Sequence, residues 1–297
     1  MRFGDRGTSD NVESQRGQSF GGGGLGGAGA GLIFSLVASR FGIGGVIVLV
    51  IVMALFGGLG SLTGGGQQAV SPGAPGSAGQ SASNICASDA TTRFSCQVLA
   101  STEQRWGELF SAAGQRYEAP RMVVYTGGGR SGCGAAQSAM GPFYCPADQR
   151  IYLDTNFFNE LSQQYGAPGD FAQAYVIAHE VGHHIQTLTG VEGRIRQAQS
   201  ALGEGESNAL QVRMELQADC YAGVWAARER GAMEPGDIEE GMRAAAAIGD
   251  DTLQRANQSV VVPESFTHGT SAQRQEALMR GYRGGSAEAC AGFTQGI

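Results

Sequence analysis

Residues 174–190 read AYVIAHEVGHHIQTLTG and contain three of the four histidines of the chain. Apolar residues recur through this stretch at spacings of three and four, which is the pattern of a helix with one apolar face. These residues are Ala174, Ala178, Val181, Ile185 and Leu188. The stretch therefore predicts a helix that packs this face on the core and presents its histidines on a neighbouring face.

The motif H-E-x-x-H is formed by His179, Glu180 and His183. On a helix the two imidazoles lie one turn apart and can hold one metal ion, while Glu180 can reach a metal-bound water as a general base. Two imidazoles, one carboxylate and an open fourth position are typical of zinc. Gly182 costs ~1 kcal/mol relative to alanine in a helix, which indicates that another element approaches there. The alternative is a chance match on an exposed helix.

The third ligand is not expected to be a histidine. The extended motif H-E-x-x-H-x-x-G-x-x-H needs glycine and histidine at two positions where Gln186 and Thr189 stand. His184 follows His183 directly and points about one helical step away from it. We therefore expect His184 to have a structural role or to lie just behind the metal ligands, and ligation of the metal is the alternative.

A carboxylate ligand is predicted in a second helical stretch, residues 208–231, where Glu215 and Asp219 lie four residues apart on one face. Burying two unpaired like charges would be costly. A zinc ion resolves this cost if Glu215 ligates it and Asp219 accepts the other N–H of a ligating histidine. The alternative is a solvated acidic pair.

Residues 41–62 contain no charged residue and are long enough to cross a hydrocarbon layer of ~30 Å at ~1.5 Å per residue. We expect one uncleaved transmembrane helix; the alternatives are a buried core helix and a cleaved signal peptide. Four arginines precede this run, and the next arginine is Arg93. The N-terminus is therefore expected in the cytoplasm and the rest of the chain outside.

Composition supplies the other boundaries. The glycine-dense residues 1–40 are expected to form a flexible cytoplasmic tail. Residues 63–85 have the Gly/Ser/Pro-rich composition of a linker, and residues 86–297 are expected to form one domain outside the cytoplasm. The net charge of −7 and the absence of a basic stripe argue against nucleic-acid binding.

All six cysteines follow the apolar run, and their even number fits disulfides in an oxidising compartment. The disulfide candidates are Cys86, Cys96, Cys133, Cys145, Cys220 and Cys290. The alternative is that several of them are free buried thiols. Residues 126–145 are expected to form either a mobile rim or a hairpin stapled by Cys133–Cys145, and the staple is favoured. Two strands are predicted before the metal-binding helix, at residues 120–126 and 149–154, because β-branched and aromatic residues are concentrated there.

The chain resembles the Glu-zincins in its HEVGHH followed by ELQAD. With TGGGRSGCG, GPFYCPADQRIYLD, IGDD, SFTHGTSAQR and the N-terminal NVESQRG, it resembles the bacterial predicted neutral zinc metallopeptidase family. This resemblance implies an α+β, zincin-like, mainly helical domain with a small sheet, behind one transmembrane helix in the bacterial cytoplasmic membrane. It also implies one zinc ion per chain, hydrolysis of peptide bonds, and a protein or peptide substrate.

His268 and Arg274, in SFTHGTSAQR, resemble residues that lie near the zinc of Glu-zincins. The resemblance implies that His268 is a catalytic residue on the oxyanion side and that Arg274 lies close behind the metal ligands. The alternatives are a loop histidine with an ordinary hydrogen bond and an arginine paired with an acid in the core.

Two other functions remain open on the sequence. One is a non-catalytic, zinc-stabilised scaffold or adaptor in the envelope, against which Glu180 argues, because a structural zinc site has no use for a general base. The other is hydrolysis of cell-wall peptides, which no feature of the sequence separates from protein hydrolysis.

Overall fold

The structure is a computed structural model that describes residues 1–18, 80–258 and 260–297. Its helices are α1 Ala82–Cys86, α2 Ala90–Ala112, α3 Phe157–Gln163, α4 Asp170–Leu188, α5 Val191–Gln199, α6 Glu204–Arg228, α7 Asp237–Ala247, α8 Asp250–Gln258 and α9 Ser271–Gly284. Its strands are β1 Val12–Ser14, β2 Arg121–Tyr125, β3 Gly128–Ser131, β4 Gly134–Gln137, β5 Phe143–Cys145 and β6 Arg150–Asp154. The described residues are thus mainly helical with a small sheet, and the α+β prediction is confirmed.

The larger sheet has the strand order β1-β2-β6-β5. The first three strands are parallel, and β5 runs antiparallel to β6 at one edge. The two predicted strands are found as β2 and β6, which pair directly through Val124 and Leu153. A separate antiparallel hairpin, β3–β4, spans residues 128–137. It follows β2 in the chain and leads back towards β5.

The helical core is built around α6, which packs closely on both α4 and α9. Glycines permit the closest of these approaches. A Cβ added at Gly223 would collide with the backbone of Leu278, and one added at Gly281 would collide with the backbone of Cys220. The backbones of α6 and α9 therefore touch directly, and this contact joins the C-terminal halves of the two helices.

The first 18 residues, here called the N-terminal strap, pack on the domain. Strand β1 pairs with β2, and the α-amino group of Met1 lies 2.6 Å from Asp170 Oδ1. Arg6 pairs with the buried Glu229 at 2.7 Å. The flexible tail predicted over residues 1–40 is therefore wrong for residues 1–18. The prediction failed because the arginines of the strap find acidic partners far along the chain.

The predicted transmembrane helix, residues 41–62, lies outside the described residues. Among the described residues, no helix combines the length and apolar character needed to cross a membrane. A single crossing with the N-terminus in the cytoplasm and the domain outside would separate the strap from the domain. That topology disagrees with the contacts between the strap and the domain. If both belong to one chain, these contacts require the strap and the domain to lie on the same side of a membrane.

The six cysteines form three disulfides, Cys86–Cys96, Cys133–Cys145 and Cys220–Cys290. The favoured Cys133–Cys145 staple is thereby confirmed. The first disulfide ties α1 to α2. The linker predicted over residues 63–85 ends earlier than expected, because α1 begins at Ala82.

Candidate metal centre

Helices α4 and α6 cross at Gly182. A Cβ added there would lie 2.9 Å from both the Cα and the carbonyl oxygen of Ala218. Since real Cβ atoms do not approach backbone so closely, only glycine permits this crossing. Ala218 lies between Glu215 and Asp219, so the close approach brings both carboxylates within reach of the histidines on α4.

Three ligand atoms converge at the crossing. The Nε2 atoms of His179 and His183 are 3.2 Å apart. Glu215 Oε2 lies 3.2 Å from Nε2 of His179 and 3.3 Å from Nε2 of His183. Zinc bonds of ~2.0–2.1 Å in a tetrahedron imply ligand atoms ~3.3–3.4 Å apart. The separations therefore fit one zinc ion that leaves a fourth position open.

The proton on each imidazole is directed away from this centre. His179 Nδ1 lies 2.7 Å from Asp219 Oδ1, and His183 Nδ1 lies 2.9 Å from Gln186 Oε1. The Gln186 amide group donates to the carbonyl of Met214, so its oxygen must face His183. Each Nδ1 is then the protonated nitrogen, which leaves both Nε2 lone pairs facing the Glu215 carboxylate.

A positive charge would be favourable between the three converging acceptors, which are the Nε2 atoms of His179 and His183 and the Oε2 atom of Glu215. Burial lowers the pKa of His179, but the Asp219 and Glu215 carboxylates outweigh burial and raise that pKa to about 10. The same balance, with Glu215 as the main partner, raises the pKa of His183. The cluster therefore favours a cation, and a divalent ion can serve all three acceptors at once.

Asp219 is held from behind by Arg274. The guanidinium donates from Nε to Oδ2 and from Nη2 to Oδ1, both at 2.9 Å, and the Tyr175 hydroxyl donates to Oδ1 at 2.6 Å. Burial raises the pKa of Asp219, but Arg274 and His179 lower it by more, to about 2. Asp219 is thus a charged acceptor for the His179 ring. Arg274 pairs with an acid in the core, as one of the two interpretations of the sequence predicts.

Glu180 lies beside the histidines and is only 7% exposed. The backbone of Tyr144, on the edge strand β5, lies near enough to lower the pKa of Glu180, and both residues line the same cleft. Burial raises the pKa of Glu180, and the two neighbouring histidines only partly offset this rise. The sheet edge and the candidate general base are therefore neighbours.

His268 lines the same cleft as Glu180 and is oriented by Asp250, at the start of α8. Asp250 Oδ2 accepts the backbone N–H groups of Thr267, His268 and Gly269, at 2.8, 2.6 and 3.0 Å. His268 Nδ1 lies 3.3 Å from Asp250 Oδ1. Burial lowers the pKa of His268, but Asp250 and Glu215 raise it by more.

His184 lies outside the ligand cluster. Its Nε2 lies 2.7 Å from the carbonyl of Glu118, and its Nδ1 lies 3.1 Å from the Tyr144 hydroxyl. Burial lowers the pKa of His184. Both ring nitrogens are therefore engaged away from the ligand atoms of the candidate metal centre.

Sequence reasoning missed three residues that orient these groups: Gln186, Gln211 and Asp250. Gln211 donates to Glu215 Oε1 at 2.8 Å, which leaves Oε2 for the histidines. Gln211 precedes Glu215 by four residues on one helix, and Gln186 follows His183 by three residues on another. Side chains at these spacings are neighbours on a helix, so both contacts were predictable from the sequence. Asp250 and His268 lie 18 residues apart, so no local pattern joins them.

A cleft of about 440 Å³ opens over these residues. Its polar floor is formed by the two histidines, Glu180 and Glu215. Its walls are mostly apolar and include Met140, Phe143, Phe157, Val176, Ile248 and Leu253. The arrangement can therefore place an apolar ligand beside a metal ion and a carboxylate.

The chain matches a family model described as "Putative neutral zinc metallopeptidase" over residues 1–293. It is 47% identical over 301 residues to "Uncharacterized protein YpfJ" of Escherichia coli K12, with all of both chains covered. It is 43% identical over 223 residues to "Uncharacterized protein Rv2575" of Mycobacterium tuberculosis H37Rv, covering 69% of this chain and 73% of that protein. No solved structure matches significantly. The chain therefore belongs to the family described by that zinc metallopeptidase model.

Proposed function

We propose that this protein is a zinc-dependent peptidase that binds one zinc ion per chain through His179, His183 and Glu215. The observation that carries the proposal is the convergence of these three acceptor atoms, 3.2–3.3 Å apart, beside the buried carboxylate of Glu180. When bound, zinc polarises a peptide carbonyl and lowers the pKa of a coordinated water towards ~7.

Glu180 acts as the general base. Its carboxylate takes a proton from the attacking water and later passes that proton to the nitrogen of the leaving amine. Burial raises its pKa and so brings its basicity closer to that required near neutral pH. Tyr144 of β5 lines the cleft together with this carboxylate, so the general base lies close to the sheet edge.

His268 donates a hydrogen bond to the oxyanion that develops on the attacked carbonyl. The supporting observations are its place in the cleft and its contact with Asp250, which orients the ring and raises its pKa. Asp219 and Arg274 act further back, because they orient His179 rather than touch the substrate.

The substrate is a protein or peptide that binds in extended form along β5. This strand is last in the order of its sheet, so its outer edge has no strand partner among the described residues. An extended peptide can pair with such an edge through its backbone, while adjacent cavities receive its side chains. Cell-wall peptides remain a second substrate class for the same chemistry.

A non-catalytic scaffold is less well supported. Structural zinc sites use four protein ligands, whereas only three ligand residues cluster here among the described residues. Attachment to the membrane through residues 41–62 remains a prediction. If it holds, the contacts of the strap require residues 1–18 and the domain to lie on the same side.

The decisive experiment compares the full-length protein with Glu180→Gln. Zinc content, measured by elemental analysis, should stay near one per chain, while cleavage of a peptide library falls ~10²–10⁴-fold because the general base is lost. Glu276→Gln, on the exposed face of α9, is the control and should behave as wild type. Equal cleavage by wild type and Glu180→Gln would rule out the mechanism, and zinc-loaded protein without activity on protein and cell-wall peptides would favour the scaffold.

A further inference from the structure

The β3–β4 hairpin, residues 128–137, forms part of the cleft wall. Ser131, Cys133 and Ala135 face the same cavity as His179 and Glu180. The turn of the hairpin is tied to β5 by the Cys133–Cys145 disulfide. The position of β3 therefore influences the width of the cleft. The disulfide holds the turn of the hairpin, and a second contact holds the side of β3 that faces away from β4.

Gln15 of the N-terminal strap holds that side. Its Oε1 accepts the backbone N–H of Arg130 at 2.8 Å, and its Nε2 donates to the backbone carbonyl of Arg130 at 2.9 Å. One side chain thus satisfies both backbone groups of a residue in β3, as a neighbouring strand would. The antiparallel partner of Arg130 across the hairpin is Ala135, on the opposite edge of β3.

The neighbouring glycine shows how closely Gln15 fits. A Cβ added at Gly129 would lie 2.8 Å from Gln15 Oε1 and 3.3 Å from Tyr125 Cγ. Gly129 is buried, although the residues on either side of it are exposed. The absent side chain at this position therefore makes room for the Gln15 amide against the backbone of the hairpin.

The strap presents Gln15 from a well-held backbone. Residues 12–14 pair with β2, and the backbone N–H of Gln15 donates to the carbonyl of Val124 at 2.8 Å. On the other side, Arg16 donates to Asp89 at 3.0 Å and to Thr155 Oγ1 at 2.8 Å. Gln15 is thus held between β2 and α2, and its side chain transmits that position to β3.

We propose that Gln15 is a positioning residue that holds the β3–β4 hairpin as a wall of the substrate cleft. The proposal rests on the peptidase function above, because it assigns the hairpin to the substrate site of that function. It makes the strap part of the substrate-binding apparatus, although the strap contributes no ligand or general base. Loss of the Gln15 amide should loosen β3 and weaken substrate binding, while the metal centre on α4 and α6 stays intact.

The test compares full-length wild type, Gln15→Ala and the control Gln18→Ala. Gln18 is a matched control because its exposed amide donates within the strap, to the Ser14 carbonyl. Hydrogen exchange at the Arg130 amide should become about five- to tenfold faster in Gln15→Ala, as expected for the loss of its hydrogen bond. Exchange along α4 should not change. With a fluorogenic peptide of apolar residues, KM should rise about two- to tenfold while kcat stays within about twofold.

Three outcomes would overturn the proposal: unchanged exchange at Arg130 in Gln15→Ala, faster exchange there without a rise in KM, or an equal effect of Gln18→Ala. The exchange measurement requires no activity, so it tests the Gln15 contact separately from the peptidase function. A wild-type protein that binds zinc but cleaves no peptide would overturn the proposed function, and with it the assignment of the hairpin to a substrate cleft.

Discussion

The guanidinium of Arg274 makes two hydrogen bonds of 2.9 Å to the carboxylate of Asp219, from Nε to Oδ2 and from Nη2 to Oδ1. Both side chains are almost completely buried. The same carboxylate contacts Nδ1 of His179. A buried charge pair therefore lies directly behind a candidate zinc ligand, and neither member can be removed without leaving the other uncompensated.

Arg274→Met should destabilise the protein by about 3–5 kcal/mol, because it leaves the Asp219 carboxylate buried without its partner. The free energy of unfolding from urea titrations measures this loss. Arg280→Met is the control on the same helix, since Arg280 is exposed and stacks on the Phe293 ring. A loss for Arg274→Met no larger than for the control would contradict the assigned role of this ion pair.

Gln186→Leu should weaken zinc binding about 10- to 100-fold, because His183 Nδ1 loses the acceptor that orients the ring. Competition with a chromophoric chelator measures the affinity. Gln173→Leu, also on α4 but six residues before His179, should keep the wild-type affinity. If both variants bind zinc as wild type does, Gln186 does not orient the ligand.

Acid should reveal the contact between Asp89 and the strap. Burial raises the pKa of Asp89, but hydrogen bonds from Thr92 and Arg16 lower it by more, to about 2. Because this pKa lies below the unfolded value of ~3.9, the stabilisation is present above about pH 4 and is lost as the pH falls towards 2.

Asp89→Asn keeps a side chain that can cap α2 but removes the charge that pairs with Arg16. It should lower the free energy of unfolding at pH 7 by at most ~1 kcal/mol, because the pair is partly exposed. The difference from wild type, followed by urea titration, should shrink between pH 4 and 2. A difference that stays constant over that range would show that the Asp89 charge contributes nothing.

The contact of the strap with the domain can be tested through Glu13 and Arg121, which form an ion pair at 2.6 Å. All native cysteines are in disulfides, so cysteines placed at these two positions supply the only free thiols. In the full-length protein, a short bis-maleimide should join them within one chain. Linked dimers, or no link under conditions that label each single variant, would show that the strap does not dock on its own domain.

The sequence predicted those parts of the site that lie on single helices. The spacing of His179 and His183, and that of Glu215 and Asp219, places each pair on one helical face. Glycine at position 182 also indicated a close approach, which the structure shows to be that of Ala218. Periodicity and spacing report such local features directly.

Contacts between distant segments were not predictable in the same way. The placement of the strap arginines predicts a membrane topology, but Arg6 pairs with Glu229, 223 residues away. Neither composition nor hydropathy indicates which acid an arginine will meet. Asp250 was missed for the same reason, since its contact with His268 depends on how α8 meets the loop before α9.

The strap also sets an order of events during synthesis. It is synthesised before the residues that it contacts. Ser9 forms its hydrogen bond only after Glu103, 94 residues later, has been made, and Met1 only after Asp170, 169 residues later. At ~5–20 residues per second, β1 remains without its partner for several seconds or more. Until the strap docks, the outer edge of β2 is open to pairing with other chains. Completion of the sheet is therefore expected to be a late step of folding, although residues 12–14 are synthesised well before the strand with which they pair.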